Sequence, residues 1–388
     1  MSRVAFWSFR NVLLALGFFV FGAADHMRGF LLPFFVADFQ LQSQDVSLFF
    51  ALSTLCSVLA SSSAPLFQRW FPIHRVIGYG FWVFLFALSL LMAVQTRFQL
   101  FLASALLGFG FGILEVYLSA AAVIEDRTRS RSRNQSIFYS MGLVSAILLP
   151  ILIVVSSNSG WGWKASLIPI WAICFFLALG FQFKQFWIRK VSHVEVKKVV
   201  HWFSVFRKHL LLILAGVGWM SFEIFLGSRL GLLLRNPDHS TLNSTTIQFG
   251  IFFVILFISR MGIGAWLQDK SAHRNFILFI LASTFTVFLG MLASPLWFFA
   301  SAFFIGPVFP LWMVLVGSLG KYNTVRMIAL ATTATSLLLA AVNLLLFGKG
   351  DWAGSEIFVG LILFLIAPLA YAAFGKNQES YSDWRKAA

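Results

Sequence analysis

Residues 98–123 read FQLFLASALLGFGFGILEVYLSAAAV, an unbroken apolar stretch with a single charged side chain, Glu115. About 20 such residues cross the hydrocarbon of a bilayer as a helix. The stretch ends against Arg127, Arg129, Arg131 and Arg133, and a cluster of basic residues directly after an apolar run marks a span end held on one side of a membrane. Moving outward in both directions, the same alternation recurs. Apolar stretches fall at roughly 12–36, 46–68, 76–95, 136–157, 165–187, 209–233, 246–267, 276–293, 296–318, 327–347 and 355–374. With the first, these predict about twelve transmembrane helices.

Composition agrees. Of 388 residues, 59% are hydrophobic and 11% charged, whereas a soluble domain carries about 25% charged residues. The formal charge of +15 does not point to nucleic acid, which calls for basic residues gathered on one face or tail. Here they sit between apolar stretches. With the N-terminus placed inside, 22 of the 29 Lys and Arg fall in inside segments and four, Arg97, Lys164, Arg235 and Lys349, fall outside. The remaining three, Arg28, Arg229 and Arg260, lie within spans. This asymmetry predicts both termini in the cytoplasm. The first stretch carries Asp25, His26 and Arg28, and its length and charge argue against a cleavable signal peptide. Short loops suit a bacterial inner membrane. The expected layout is residues 1–187 with six spans, a basic inside linker at 188–208, and residues 209–388 with six more and a short tail. The linker mixes Val191, Val194, Val199 and Trp202 with lysines, as an interfacial amphipathic helix does.

Charges inside spans are the candidate functional residues, because burying them is costly. Glu115 must be paired there or spend much of its time protonated. A carboxyl poised between those states can couple proton movement to a conformational change; the alternative is a structural acid pinning helices together. Asp25 and Arg28 are three apart, so a helix lets them pair. Arg28 alternatively offers a fork to an anionic solute, with His26 as a proton relay or a hydrogen-bonded bystander. Glu223 and Arg229 are six apart on span seven, too far round the helix to pair easily, and each needs a partner elsewhere. Amides inside spans are scarce. Asn343 and, near a margin, Gln135 are the ones expected to line a solute cavity, along with Arg28, His26 and Arg229.

Particular residues carry a resemblance to a known family. After span eight, Ala265-Trp266-Leu267-Gln268-Asp269-Lys270-Ser271-Ala272-His273-Arg274 resembles the loop signature G-x-L-x-D-R-x-G-R-R of major facilitator transporters. It has Ala for both glycines, Lys for the first Arg and His for the next. Ala64-Pro65-Leu66-Phe67-Gln68-Arg69 after span two is similar, with Gln68 in place of the acid. The resemblance implies a structural role for Asp269, Lys270, Arg274, Arg69 and Arg260. Gly108-Phe109-Gly110-Phe111-Gly112-Ile113-Leu114-Glu115 resembles the fourth helix of the fucose and glucose/galactose proton symporters in that superfamily. There a glycine-rich run precedes a proton-exchanging acid. Asn134, Gln135, Phe138 and Gly142 in span five, and Leu31-Leu32-Pro33-Phe34 in span one, are similar to the same branch. Where the symporters place an acid four residues before that proline, this chain has Gly29, and Asp25 lies a turn further back.

The resemblance implies an all-α membrane fold of two pseudo-symmetric six-helix bundles, with a solute site between them near the midplane. It implies a proton-coupled secondary transporter, with Glu115, Asp25 and Glu223 as coupling candidates and a small solute, sugar-like or an organic anion. An uncoupled facilitator and an exporter of amphipathic molecules are the alternatives within transport. The drug-antiporter run G-x-x-x-G-P is not met at span five, where Leu149 precedes Pro150. An intramembrane enzyme using Glu115, Asp25 and His26 is the rival class. No phosphate-loop motif or H-E-x-x-H is present, so neither ATP, a metal nor another cofactor is expected. Solute, protons and lipid are the expected partners, nucleic acid is not, and the chain is expected to act as a monomer.

Overall fold

The computed structural model describes residues 9–125, 131–183, 210, 213–219, 223, 242–266, 272–292, 296–319 and 324–347. The described part is helical, for a physical reason. In hydrocarbon every backbone N–H and C=O must be satisfied within its own segment, and a helix does this. The helices are α1 (Phe9–Phe39), α2 (Ser43–Trp70), α3 (Ile73–Met92), α4 (Arg97–Glu125) and α5 (Arg131–Asn158). A 3₁₀ turn, Trp163–Leu167, leads into α6 (Ile168–Gly180). Then come α7 (213–219), α8 (Leu242–Trp266), α9 (Ala272–Leu292), α10 (Leu296–Ile305), α11 (Val308–Leu319) and α12 (Thr324–Phe347).

Among the described residues, eight helical stretches are long and apolar enough to cross a membrane. They coincide with expected spans one to six, ten and eleven. The helices α8 and α9 match expected spans eight and nine, with shorter apolar stretches. Most of span seven, all of span twelve and the linker at 188–208 lie outside the described residues. Large apolar side chains stand exposed around the helices, among them Leu59, Phe86, Phe176 and Phe285, and in a bilayer these face lipid. Trp70 at the end of α2, Trp161 after α5 and Trp297 at the start of α10 are also exposed, as expected of an interfacial aromatic belt.

One expected helix is broken. The stretch 296–318 reads as a single helix and still serves as one span, but it is two helices, α10 and α11, separated by Gly306 and Pro307. Two prolines explain the break. Pro307 has no N–H for the carbonyl of Phe303, and Pro310 has none for the carbonyl of Gly306, so the ladder of i→i−4 bonds fails twice within four residues.

Small residues set how closely the helices approach. A Cβ at Gly108 would lie 1.9 Å from the Ser53 carbonyl oxygen, and one at Gly112 would lie 2.4 Å from that of Ser57. The glycine run of α4 therefore presents two glycines one turn apart to the backbone of α2. In the same way Gly22 on α1 meets the backbone of Gly142 on α5, where an added Cβ would stand 2.3 Å from Cα. Such close approaches are how membrane helices gain packing energy without a hydrophobic drive. Contacts also join the first and second halves of the chain: α2 packs along α12, and α5 packs along α8 and α11.

Candidate functional site

Five of the charged residues expected within spans, Asp25, Arg28, Glu115, Glu223 and Arg260, gather where α1, α4, α5, α8 and α11 meet. Arg28 is buried on α1 and forms an ion pair with Asp25 on the preceding turn. Its Nη1 donates to the Ser53 hydroxyl of α2 at 2.6 Å, and its guanidinium lies 5.4 Å from the centre of the Phe111 ring on α4. Asp25, Ser53 and Phe111 thus engage three sides of one guanidinium, which makes a buried charge tolerable. His26, beside Asp25 in sequence, turns elsewhere. Its Nδ1 is 2.6 Å from the Gly22 carbonyl, and its ring meets Phe253 of α8 edge-on at 4.7 Å.

Glu115 lies one turn beyond Phe111 on α4 and is 5% exposed. Among the described residues no donor hydrogen-bonds its carboxylate, while the charges of Asp25 and Arg28 act on it electrostatically. The next turn of α4 carries Ser119, whose hydroxyl donates to the Glu115 carbonyl and lies 2.5 Å from the Tyr139 hydroxyl of α5. The Tyr139 ring then meets Phe309 of α11 at 4.3 Å. Phe309 sits 6.0 Å from the Arg260 guanidinium.

Arg260, 4% exposed within α8, is salt-bridged to Glu223 at 2.8 Å. Its Nε donates to the Gly306 carbonyl, also at 2.8 Å, while the neighbouring Ser259 hydroxyl donates to the carbonyl of Phe303. Glu223 therefore finds, far along the chain, the partner it needed. The charge of Asp25 is felt at Glu223, and that of Arg260 at His26 and Tyr139. Two arginine–carboxylate pairs, one from each half of the chain, and one carboxyl that has no donor among the described residues form a single electrostatic neighbourhood.

The remaining expected residues fall elsewhere. Gln135 on α5 is fully buried, and neither amide atom has a hydrogen-bond partner among the described residues. Arg69 and Arg274 are exposed at helix ends. Asn343 lies within α12, but its side chain is outside the described set, as are Arg229, Asp269 and Lys270. Sequence reasoning missed Ser53, Ser119, Tyr139, Ser259 and Phe309. The nearest signal was the pair of prolines at 307 and 310, which leave the carbonyls of Phe303 and Gly306 in need of donors from a neighbouring helix.

The Major Facilitator Superfamily profile matches residues 14–342. The chain belongs to the major facilitator superfamily. It is a multi-pass, all-α membrane transporter rather than an enzyme, and members of this superfamily carry small-molecule solutes. Solved structures agree on the fold. One is an MFS transporter, FucP, in the outward conformation, with a TM-score of 0.69 at 14% identity, covering 94% of this chain and 98% of that one. A second is a variant of the fucose:proton symporter FucP of E. coli, with a TM-score of 0.69 at 13% identity and the same coverage. No curated protein matches the sequence.

Proposed function

We propose that this superfamily member is a proton-coupled secondary transporter and that Glu115 carries the coupling proton. The observation behind this is the contrast between its carboxyls. Asp25 and Glu223 are each ion-paired with an arginine, Glu223 through its Oε1. Glu115, more deeply enclosed than either, has no donor among the described residues and sits beside the turn that touches Tyr139 and, through it, the second half of the chain. A buried carboxylate without a donor is costly, and taking up a proton relieves that cost. Loading and unloading Glu115 therefore changes the energetics at the place where the halves meet.

In this reading residues 1–187 and 209–388 are two bundles that rock about the site, joined by the linker at 188–208. Both termini face the cytoplasm of a bacterial inner membrane, and the protein works as a monomer. The name of the fucose:proton symporter makes a sugar-sized polyhydroxyl solute the first to test. An organic anion is less favoured, because Arg28 is already engaged by Asp25 and Ser53 and a solute carboxylate has to displace one of them. Gln135, whose amide has no partner among the described residues, is a group that an arriving hydroxyl or water satisfies as the bundles move.

The test is current from proteoliposomes on a solid-supported membrane, with sugars, organic anions, amino acids and cationic drugs applied in turn. Wild type is expected to give a transient current with one class, and Glu115→Gln to reduce it at least about tenfold while retaining solute binding. Equal currents from mutant and wild type make Glu115 structural and move the search to Asp25 and Glu223. Solute uptake without any proton movement makes the protein an uncoupled facilitator.

A further inference from the structure

The break between α10 and α11 leaves two carbonyls, those of Phe303 and Gly306, without the N–H groups that Pro307 and Pro310 cannot supply. Two consecutive residues of α8 replace them, one each: Ser259 donates to Phe303 and Arg260 to Gly306. Gly306 makes this possible by its lack of a side chain. A Cβ there would stand 2.9 Å from the Leu256 carbonyl oxygen, 3.0 Å from the Ser259 hydroxyl and 3.1 Å from the Arg260 amide nitrogen. Glu223 holds the far side of the Arg260 guanidinium. Two residues past Pro307 stands Phe309, against Tyr139 of α5.

We propose that Ser259 and Arg260 are positioning residues of the transport cycle. They hold the start of α11 so that Phe309 closes on Tyr139, and Glu223 keeps Arg260 aimed at the break. Gly306 N–H still bonds to the Ala302 carbonyl and Leu311 N–H to that of Pro307, but the two bonds that the prolines remove would have tied α10 to α11, and the donors from α8 replace them. Releasing either donor leaves a carbonyl orphaned in a dry interior and frees Phe309 to leave Tyr139. The interface between the halves then loosens. This rests on the reading of the protein as an alternating-access transporter.

A cross-link reports the closed interface without requiring the solute. The hydroxyls of Ser61 on α2 and Thr333 on α12 are 2.8 Å apart, so the parent for the test is Ser61→Cys/Thr333→Cys in a background of Cys56→Ala and Cys174→Ala. Its disulfide formation rate is measured in proteoliposomes. Glu223→Gln/Arg260→Leu leaves no charge unpaired and is expected to slow the cross-link at least about tenfold. Adding Pro310→Ala, which returns an N–H to the Gly306 carbonyl, is expected to restore most of the rate. Ser259→Ala removes no charge and folds more readily; its slower cross-link is expected to be rescued by Pro307→Ala but not by Pro310→Ala. Parent-like rates in the unrescued variants overturn the proposal, as does rescue that ignores which proline is replaced. If the parent cross-links identically with and without every solute of the panel, rocking itself fails. If the parent responds to solute while the Ser259 and Arg260 variants behave like it, the latch alone fails.

Discussion

Replacing Gly108 with valine is expected to leave almost no folded protein in the membrane. Even the first added carbon would lie 1.9 Å from a backbone oxygen of α2, with the Ser53 carbonyl carbon at 2.5 Å and its Cα at 2.7 Å. A clash with a flexible side chain is relieved by a rotamer change. A clash with backbone requires two long helices to separate. Overpacking a well-packed site ordinarily costs about 1–3 kcal/mol, and separating α2 from α4 adds the loss of their close packing. It also shifts Ser53, which binds Arg28, so the site is lost with the fold. Gly250→Ala is the control, since nothing lies within 4 Å of its missing Cβ. Yield of monodisperse protein after detergent extraction decides the matter: near zero for Gly108→Val and close to wild type for Gly250→Ala. Comparable yields would show that α2 and α4 are looser than the structure has them.

The second large effect belongs to Asp25. Asp25→Asn leaves the Arg28 guanidinium buried with neutral partners among the described residues, namely the Ser53 hydroxyl, the backbone carbonyl of residue 25 and the Phe111 ring. Breaking a buried pair by removing one partner costs about 3–5 kcal/mol, because the other charge stays behind. For a chain of this size that corresponds to a fall of about 5 °C in apparent melting temperature. The double variant Asp25→Asn/Arg28→Gln removes both charges and is expected to recover most of the loss. If the double variant melts no higher than the single one, Asp25 contributes through something other than charge. If Asp25→Asn melts like wild type, Glu115 has taken over as the partner of Arg28, as its shared electrostatic neighbourhood permits.

Much of the fold could be read from the sequence because the bilayer imposes one dominant rule. Runs of apolar residues the length of a helix become helices, and α1 to α6 fall where hydropathy puts them. The break at Gly306–Pro307 escaped the same reading because hydropathy is blind to backbone donors. Glycine and proline are apolar enough to pass as span, and what they remove is an N–H or a Cβ. Counting N–H groups along 303–310 would have shown two carbonyls in need of outside help. The site was legible in part. Asp25 and Arg28 could be paired from their spacing alone, since one helix carries both. Glu223 and Arg260 could not, because 37 residues separate them and only the packing of helices brings them together. The run Gly108–Gly112 was legible as a resemblance, yet its physical work is to bring α2 and α4 together.

The seam between α2 and α12 has a consequence for speed. Its described polar contacts, Ser57 with Ser336 at 3.3 Å and Ser61 with Thr333 at 2.8 Å, are neutral hydroxyl pairs one turn apart on antiparallel helices. Each such bond contributes about 1 kcal/mol net, within a factor of two of thermal energy. A hydroxyl can also turn to its own helix for a partner, as Ser61 does toward the Val58 carbonyl. The seam can therefore unzip and reseal without stranding a polar group in hydrocarbon at any point. An ion pair at the same place would grip harder and make every stroke wait for it to let go; hydroxyls let the halves part at a rate set by their load.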